Sequence, residues 1–147
     1  MRSSGRRPRS GLRSRRELGP RRWSSPPSSG AGLEPLLVQP DVLAVCDPSK
    51  LDRRGVRGSP DWVLEVLSPS TAGHDQVLKR RIYEQAGVRE FWLVHPMDRV
   101  LIIYRLDGAE YGKPDVQELK GSTEIRVLPG VVVAWGALAE RLPKPEY

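Results

Sequence analysis

Asp41, Glu65 and Lys79 are the residues of this 147-residue chain whose types and spacing could do chemistry together. Glu65 is the lone charge in the apolar run Trp62-Val63-Leu64-Glu65-Val66-Leu67, and Asp41 follows Pro40 at the head of a second apolar run, Val42-Leu43-Ala44-Val45. Lys79 lies midway between Asp75 and Tyr83, each four residues away. Hard divalent cations such as magnesium take carboxylate oxygens and keep several waters, and a cation held that way acidifies a bound water and polarises a phosphoryl oxygen. A lysine beside them would orient the water or meet the charge that develops in the transition state. Each residue also has an ordinary reading. Glu65 would be an edge glutamate, Lys79 a solvated helix charge, Asp75 a first-turn acid complementing the helix dipole, and Tyr83 a half-buried helix residue. What separates the readings is Glu65, because a buried carboxylate without a partner costs several kcal/mol or takes up a proton.

The elements needed to position these groups are legible in the periodicity. Alternation puts Val63, Glu65 and Leu67 on one face of a strand and Trp62, Leu64 and Val66 on the other. Pro40 cannot donate a ladder hydrogen bond and marks the start of an upstream strand, with Asp41 directly after it. Residues His74 to Ala86 read as a helix ended by Gly87, with Val77, Leu78, Ile82 and Ala86 as its buried stripe. Phe91 to Val94 and Val100 to Leu106 read as a hairpin, followed by a weaker strand from Glu110 to Leu119 interrupted by Pro114. Lys50 to Ser59 is expected to be a polar loop, and Ile125 to Leu128 and Val131 to Trp135 two short strands around Pro129-Gly130. Trp92 and Trp135 are expected in the core. His74 and His95 lack a second histidine at ligand spacing and are assigned to no metal.

Pro40-Asp41, the run from Ser59 to Thr71 (SPDWVLEVLSPST), then Asp75, Lys79, Tyr83 and the run GVREFWLV from Gly87 to Val94 carry a further signal. Together they resemble the Uma-two family of restriction endonucleases, within the PD-(D/E)XK nuclease superfamily, over residues Val38 to Leu142. The resemblance implies an α/β, restriction-endonuclease-like core, a mixed central sheet with a flanking helix and C-terminal hairpins. It implies a magnesium or other divalent ion held by Asp41 and Glu65, with DNA as the partner and phosphodiester hydrolysis as the reaction. The superfamily's usual lysine two places after the acid is replaced here by Leu67, so Lys79 on the following helix is the natural substitute. Asp41, Glu65 and Lys79 are thereby the expected catalytic set.

Charge is distributed unevenly. The net charge is +6, yet residues 1–32 hold nine arginines and one glutamate, and residues 33–147 hold 15 Lys plus Arg against 17 Asp plus Glu. The excess is therefore a property of the first 32 residues, and any phosphate contacts from the rest must be local, from clusters such as Arg53-Arg54-Arg57 or Lys79-Arg80-Arg81. Residues 1–32, an Arg/Ser/Gly/Pro-rich tail, are expected to lack structure because they cannot bury enough apolar surface to offset ordering entropy. The domain of residues 33–147 is expected to be incomplete on its N-terminal side, where the family pattern supplies a first helix, an acidic residue near a glycine turn and the strand before Pro40-Asp41. A truncated or altered gene start is the expectation that follows.

The single cysteine, Cys46, cannot form an internal disulfide and suits a reducing cytoplasm. No apolar run approaches the ~20 residues that cross a bilayer, so no membrane partner is expected. No phosphate-binding glycine loop, nucleophile elbow or zinc-finger spacing occurs. The competing expectation is a catalytically inactive remnant that binds nucleic acid or a protein weakly. Whether a homodimer joins two sites for a double-strand cut is left open by the sequence.

Overall fold

The strand that carries Glu65 lies inside the main sheet of the computed structural model, which describes residues 23–24, 37–68, 70 and 73–142. Among the described residues, twelve strands and two α-helices are numbered in sequence order. The first five strands are β1 (Trp23–Ser24), β2 (Leu37–Val38), β3 (Val42–Ala44), β4 (Leu51–Asp52) and β5 (Gly55–Val56). Then come β6 (Trp62–Val66), helix α1 (His74–Ala86), β7 (Glu90–His95), β8 (Val100–Asp107), β9 (Glu110–Tyr111) and β10 (Asp115–Glu118). The last described elements are β11 (Ser122–Glu124), β12 (Val132–Ala134) and α2 (Gly136–Ala139).

The main sheet runs β10-β8-β7-β6-β3, with β9 pairing to β8. β6 and β7 are parallel neighbours, and a parallel pair needs a crossover, which α1 supplies. Every other pairing in this sheet is antiparallel. The result is the expected mixed sheet with one principal helix and C-terminal hairpins. β6 and β7 are covered on both faces, as parallel strands require. On the α1 face Val63, Phe91 and Leu93 pack with Ile82, Tyr83, Val88 and Tyr111. On the other face Trp62, Leu64, Trp92 and Val94 pack with Leu101, Ile103, Ile125 and Trp135. Trp62 meets Trp92 edge-on at 5.4 Å between ring centroids. Trp92 and Trp135 are core, as expected.

Helix α1 has the predicted bounds. Gly87 ends it with φ at +77°, a left-handed conformation that suits glycine, and its N–H and that of Val88 donate to the carbonyls of Glu84 and Tyr83. Half of the predicted buried stripe is in place, Ile82 in the core and Ala86 packed against it, but Val77 and Leu78 are not part of it. Val77 and Leu78 are 53% and 43% exposed, while Ile82 and Tyr83 are buried. The helix is turned so that the Asp75-Lys79-Tyr83 row faces β6, which carries Val77 and Leu78 outward.

Two further expectations are corrected. The stretch from Lys50 to Ser59 contains the antiparallel hairpin β4–β5. Its turn is closed by the Asp52 carboxylate, which accepts from the Arg54 and Gly55 N–H groups, and it buries Val56. Ile125 to Leu128 is a turn rather than a strand: Leu128 N–H donates to the Ile125 carbonyl, and the pairing falls on Thr123 opposite Val133. The apolar residues there anchor the turn, since Ile125 is buried, instead of supplying ladder hydrogen bonds. Finally, Trp23–Ser24 form a strand, antiparallel to β2 and parallel to β5, within the stretch expected to lack structure. The rest of residues 1–32, with any start-site irregularity they hold, lies outside the described residues.

Candidate active site

Glu65 sits at the fourth position of β6, on the face turned toward α1, and is only 3% exposed. It is therefore the buried carboxylate with a cation, not the edge glutamate. Lys79 Nζ lies 3.2 Å from Glu65 Oε2, and the Tyr83 hydroxyl donates to Oε1 at 2.5 Å. Both partners come from the same helix face, spaced one turn apart. Lys79 also pairs with Asp75 at 3.5 Å, so Asp75 serves the first turn and the lysine at once.

Asp41 enters from the edge strand. β3 pairs β6 in the register Val42–Leu64 and Leu43–Val63, and one further step places Asp41 across from Glu65. Directly opposed residues of an antiparallel pair project to the same face. The exposed Asp41 carboxylate is pinned by the Val66 N–H, which donates to Oδ2 at 2.7 Å, and its charge is felt at both Glu65 and Tyr83. The three residues expected from the sequence are thus brought to one place, with Asp41 on the rim and Glu65 inside. Beside them is a small recess of about 20 Å³ lined by Glu65, Val66, Leu67, Asp75, Gln76, Lys79, Phe91 and Leu93. That is room for about one water.

The electrostatics follow from burial. Loss of hydration pushes the Glu65 carboxyl above its ordinary value of 4.5; Tyr83 and Lys79 oppose that shift and Asp41 adds to it. For Lys79, burial works against its charge, but the Glu65 and Asp75 carboxylates outweigh it and leave the pKa above 10.5. Burial first and then the Glu65 charge raise the Tyr83 phenol, so Tyr83 is a fixed donor at neutral pH. Glu65 and Asp75 flank the Lys79 ammonium and Asp41 lies across the strand pairing from Glu65; ionised, the four groups carry a formal charge of −2 that a divalent cation would neutralise. The donor set is hard oxygen, as magnesium or calcium wants. Among the described residues, no group of three or more His, Cys, Asp or Glu side chains converges as ligands, so Asp41 and Glu65 would hold such an ion together with waters or carbonyl oxygens.

Two residues of consequence lay below the sequence reading. Tyr83 was expected to be a half-buried helix residue; it is fully buried and orients Glu65. The signal was its place in the four-residue recurrence with Asp75 and Lys79. Replacing Tyr83 by Phe removes a hydrogen bond that opposes the burial shift and is expected to raise the Glu65 pKa further; NMR titration of the side-chain carboxyl measures it. The second is Glu90, a lone acid heading the apolar run Phe91-Trp92-Leu93-Val94, which turns out to be completely buried.

Comparison with known proteins finds a match to the family Uma2, described as "Putative restriction endonuclease", over residues 13–137. Among solved structures, a putative nuclease belonging to DUF820 from Anabaena variabilis ATCC 29413 shares the fold with a TM-score of 0.57 at 18% sequence identity. The alignment covers 71% of this chain and 60% of that one, so the chain matches rather less than two thirds of its relative's length. No curated protein matches. No helix among the described residues is long and apolar enough to cross a membrane. With a family match that takes in β1 to β12 and every residue of the Asp41-Glu65-Lys79 cluster, this chain belongs to the Uma2 family.

Proposed function

We propose that this protein is a metal-dependent endonuclease that hydrolyses DNA phosphodiester bonds. The observation that carries the reading is the Glu65 carboxylate, buried on a central strand, opposed by Asp41 and held by Lys79 and Tyr83. Asp41 and Glu65 would hold the cation, a hard divalent ion such as magnesium by the oxygen donors, with waters completing its shell. When bound, it lowers the pKa of a water and offsets negative charge on the scissile phosphate.

The chain's own residues do the positioning. Tyr83 and Lys79 each bind one Glu65 oxygen, which fixes the carboxylate plane before any ligand arrives. Lys79 has three donors; with Glu65 and Asp75 as its two ionic partners, one remains for a phosphoryl oxygen or the attacking water. Its raised pKa keeps the ammonium charged throughout the neutral range. Arg53, Arg54 and Arg81 are exposed and are the local cations available to flanking phosphates, while Arg57 and Arg80 are paired with Asp52 and Glu84.

The pH dependence follows from Glu65. A carboxylate must be ionised to bind a cation, so cleavage should rise with pH through a pKa above the ordinary 4.5. In Lys79→Met the loss of the neighbouring charge should move that limb to still higher pH. A pH–rate profile on supercoiled plasmid at magnesium well below saturation checks both, since a saturating cation competes with the proton and draws the limb down; at that low magnesium an acid limb at or below the ordinary glutamate value contradicts the reading.

A second reading, an inactive module that only binds DNA or a protein, draws on the absence of a third side-chain ligand among the described residues. Magnesium titration separates the two. The nuclease reading expects a binding isotherm that is lost in both Asp41→Ala and Glu65→Ala; no isotherm, or one indifferent to both, favours the module.

A further inference from the structure

At the end of the sheet where β7 begins and β8 ends, with Glu90 and Arg105 on the face opposite Glu65, a cavity of about 310 Å³ is lined by Arg89, Glu90, Arg105, Leu106, Arg126 and Val127. Three guanidinium groups around one cavity stand out in a folded region whose overall charge is slightly negative. They are assembled by specific contacts. Arg105 faces Glu90 across the β7–β8 pairing. The Val127 N–H donates to Glu90 Oε2 at 3.2 Å, which draws the turn carrying Arg126 against the sheet.

The donors of these arginines are largely unspent. Arg105 lies 3.7 Å from both Glu90 and Asp115, beyond hydrogen-bond reach, and its Nε is buried without a hydrogen-bond partner. Arg89 is 59% exposed and approaches Asp61 only to 3.7 Å. Arg126 is exposed and has no ion pair among the described residues. Glu90, by contrast, is already satisfied from below by Trp92 Nε1 at 2.7 Å and by Val127. The neighbouring acids therefore hold Arg89 and Arg105 in place without saturating their forks.

We propose that Arg89, Arg105 and Arg126 form a second, anion-binding site that takes a terminal phosphate monoester. Guanidinium groups bind oxyanions through paired N–H donors. Three of them can serve the three terminal oxygens of a phosphate dianion, whereas a carboxylate offers only two. Leu106 and Val127 give the rest of the ligand an apolar wall, and the volume is at the lower end of the ~300–1,000 Å³ of small-molecule pockets. A free mononucleotide and the 5′-phosphorylated end of a DNA strand share this chemistry. The site shares no lining residue with the recess beside Glu65 and does not rest on the cleavage reading.

The experiment is equilibrium binding by the full chain of thymidine 5′-monophosphate, and of a short single-stranded oligonucleotide with either a 5′-phosphate or a 5′-hydroxyl. The expected result is saturable binding of the mononucleotide or of the phosphorylated strand, weaker by about tenfold or more in Arg126→Ala. Which of the two binds identifies the source of the phosphate. Arg126 is exposed and makes no ion pair, so its removal spares the fold; Arg105→Met, with folding checked by circular dichroism, provides a second variant. Glu65→Ala should leave binding unchanged, which separates this site from the proposed cleavage centre. No saturable binding, binding indifferent to the 5′-phosphate, binding unaffected by Arg126→Ala, or binding lost in Glu65→Ala overturns the proposal.

Discussion

Glu65→Ala is expected to reduce magnesium-dependent nicking of supercoiled DNA by about 10²–10³-fold, the scale on which removal of one electrostatic stabiliser acts. The loss should not come from unfolding. Because burial raises the Glu65 pKa, its contribution to stability is fully present below the ordinary glutamate value and is lost as pH rises through the raised one. Above that window this contribution is gone while the ionised carboxylate still pairs with Lys79, whose pKa it raises; the two oppose each other, and Glu65→Gln, which keeps an acceptor for the Tyr83 hydroxyl, should melt close to the wild type at pH 7 without metal. The pairing of an inactive Glu65→Gln with undiminished thermal stability is the signature of a site residue. Nicking that persists in both variants would remove the basis for the proposed reaction.

How much of this was legible beforehand depended on the kind of interaction. β6, α1 and β7 were legible because one apolar run with a single acid, one helix ended by glycine and one aromatic strand each agree with their local propensity. Pairing Asp41 with Glu65 took the resemblance, since the two residues are 24 positions apart and only the β3–β6 register brings them together. The hidden parts are those set by tertiary context. The rotation of α1 was misjudged because Val77 and Leu78 outrank Tyr83 in hydrophobicity, yet a phenol can satisfy Glu65 and an aliphatic side chain cannot. The strand at Ser122–Glu124 was hidden because its residues are polar, while the apolar Ile125–Leu128 alongside it folds into a turn. The role of Glu90 was invisible for a similar reason: its donors, Trp92 Nε1 and the Val127 N–H, come from two residues along the strand and 37 residues away.

Glu90 carries the largest expected effect on stability. It is completely buried, and its two oxygens accept from Trp92 Nε1 and the Val127 N–H with the Arg105 guanidinium 3.7 Å away. Glu90→Ala would leave two donors without an acceptor and Arg105 facing Asp115 alone. Breaking one side of a buried ionic arrangement costs ~3–5 kcal/mol, a large share of the ~5–15 kcal/mol that separates native from unfolded chains. Glu90→Gln, which keeps one acceptor oxygen but turns an NH₂ group toward the other donor, should fall between alanine and the wild type. Urea unfolding of the three proteins measures the order, and the denaturant slope should stay constant if the native state is unchanged. Because Glu90 also draws the turn at Val127 against the sheet, amide exchange at Val127 and Ile125 should accelerate in Glu90→Gln more than exchange in α1. If alanine costs less than about 1 kcal/mol, the value of one ordinary hydrogen bond, the glutamate is a bystander in the core and the turn is held by Ile125 and Trp135 packing instead.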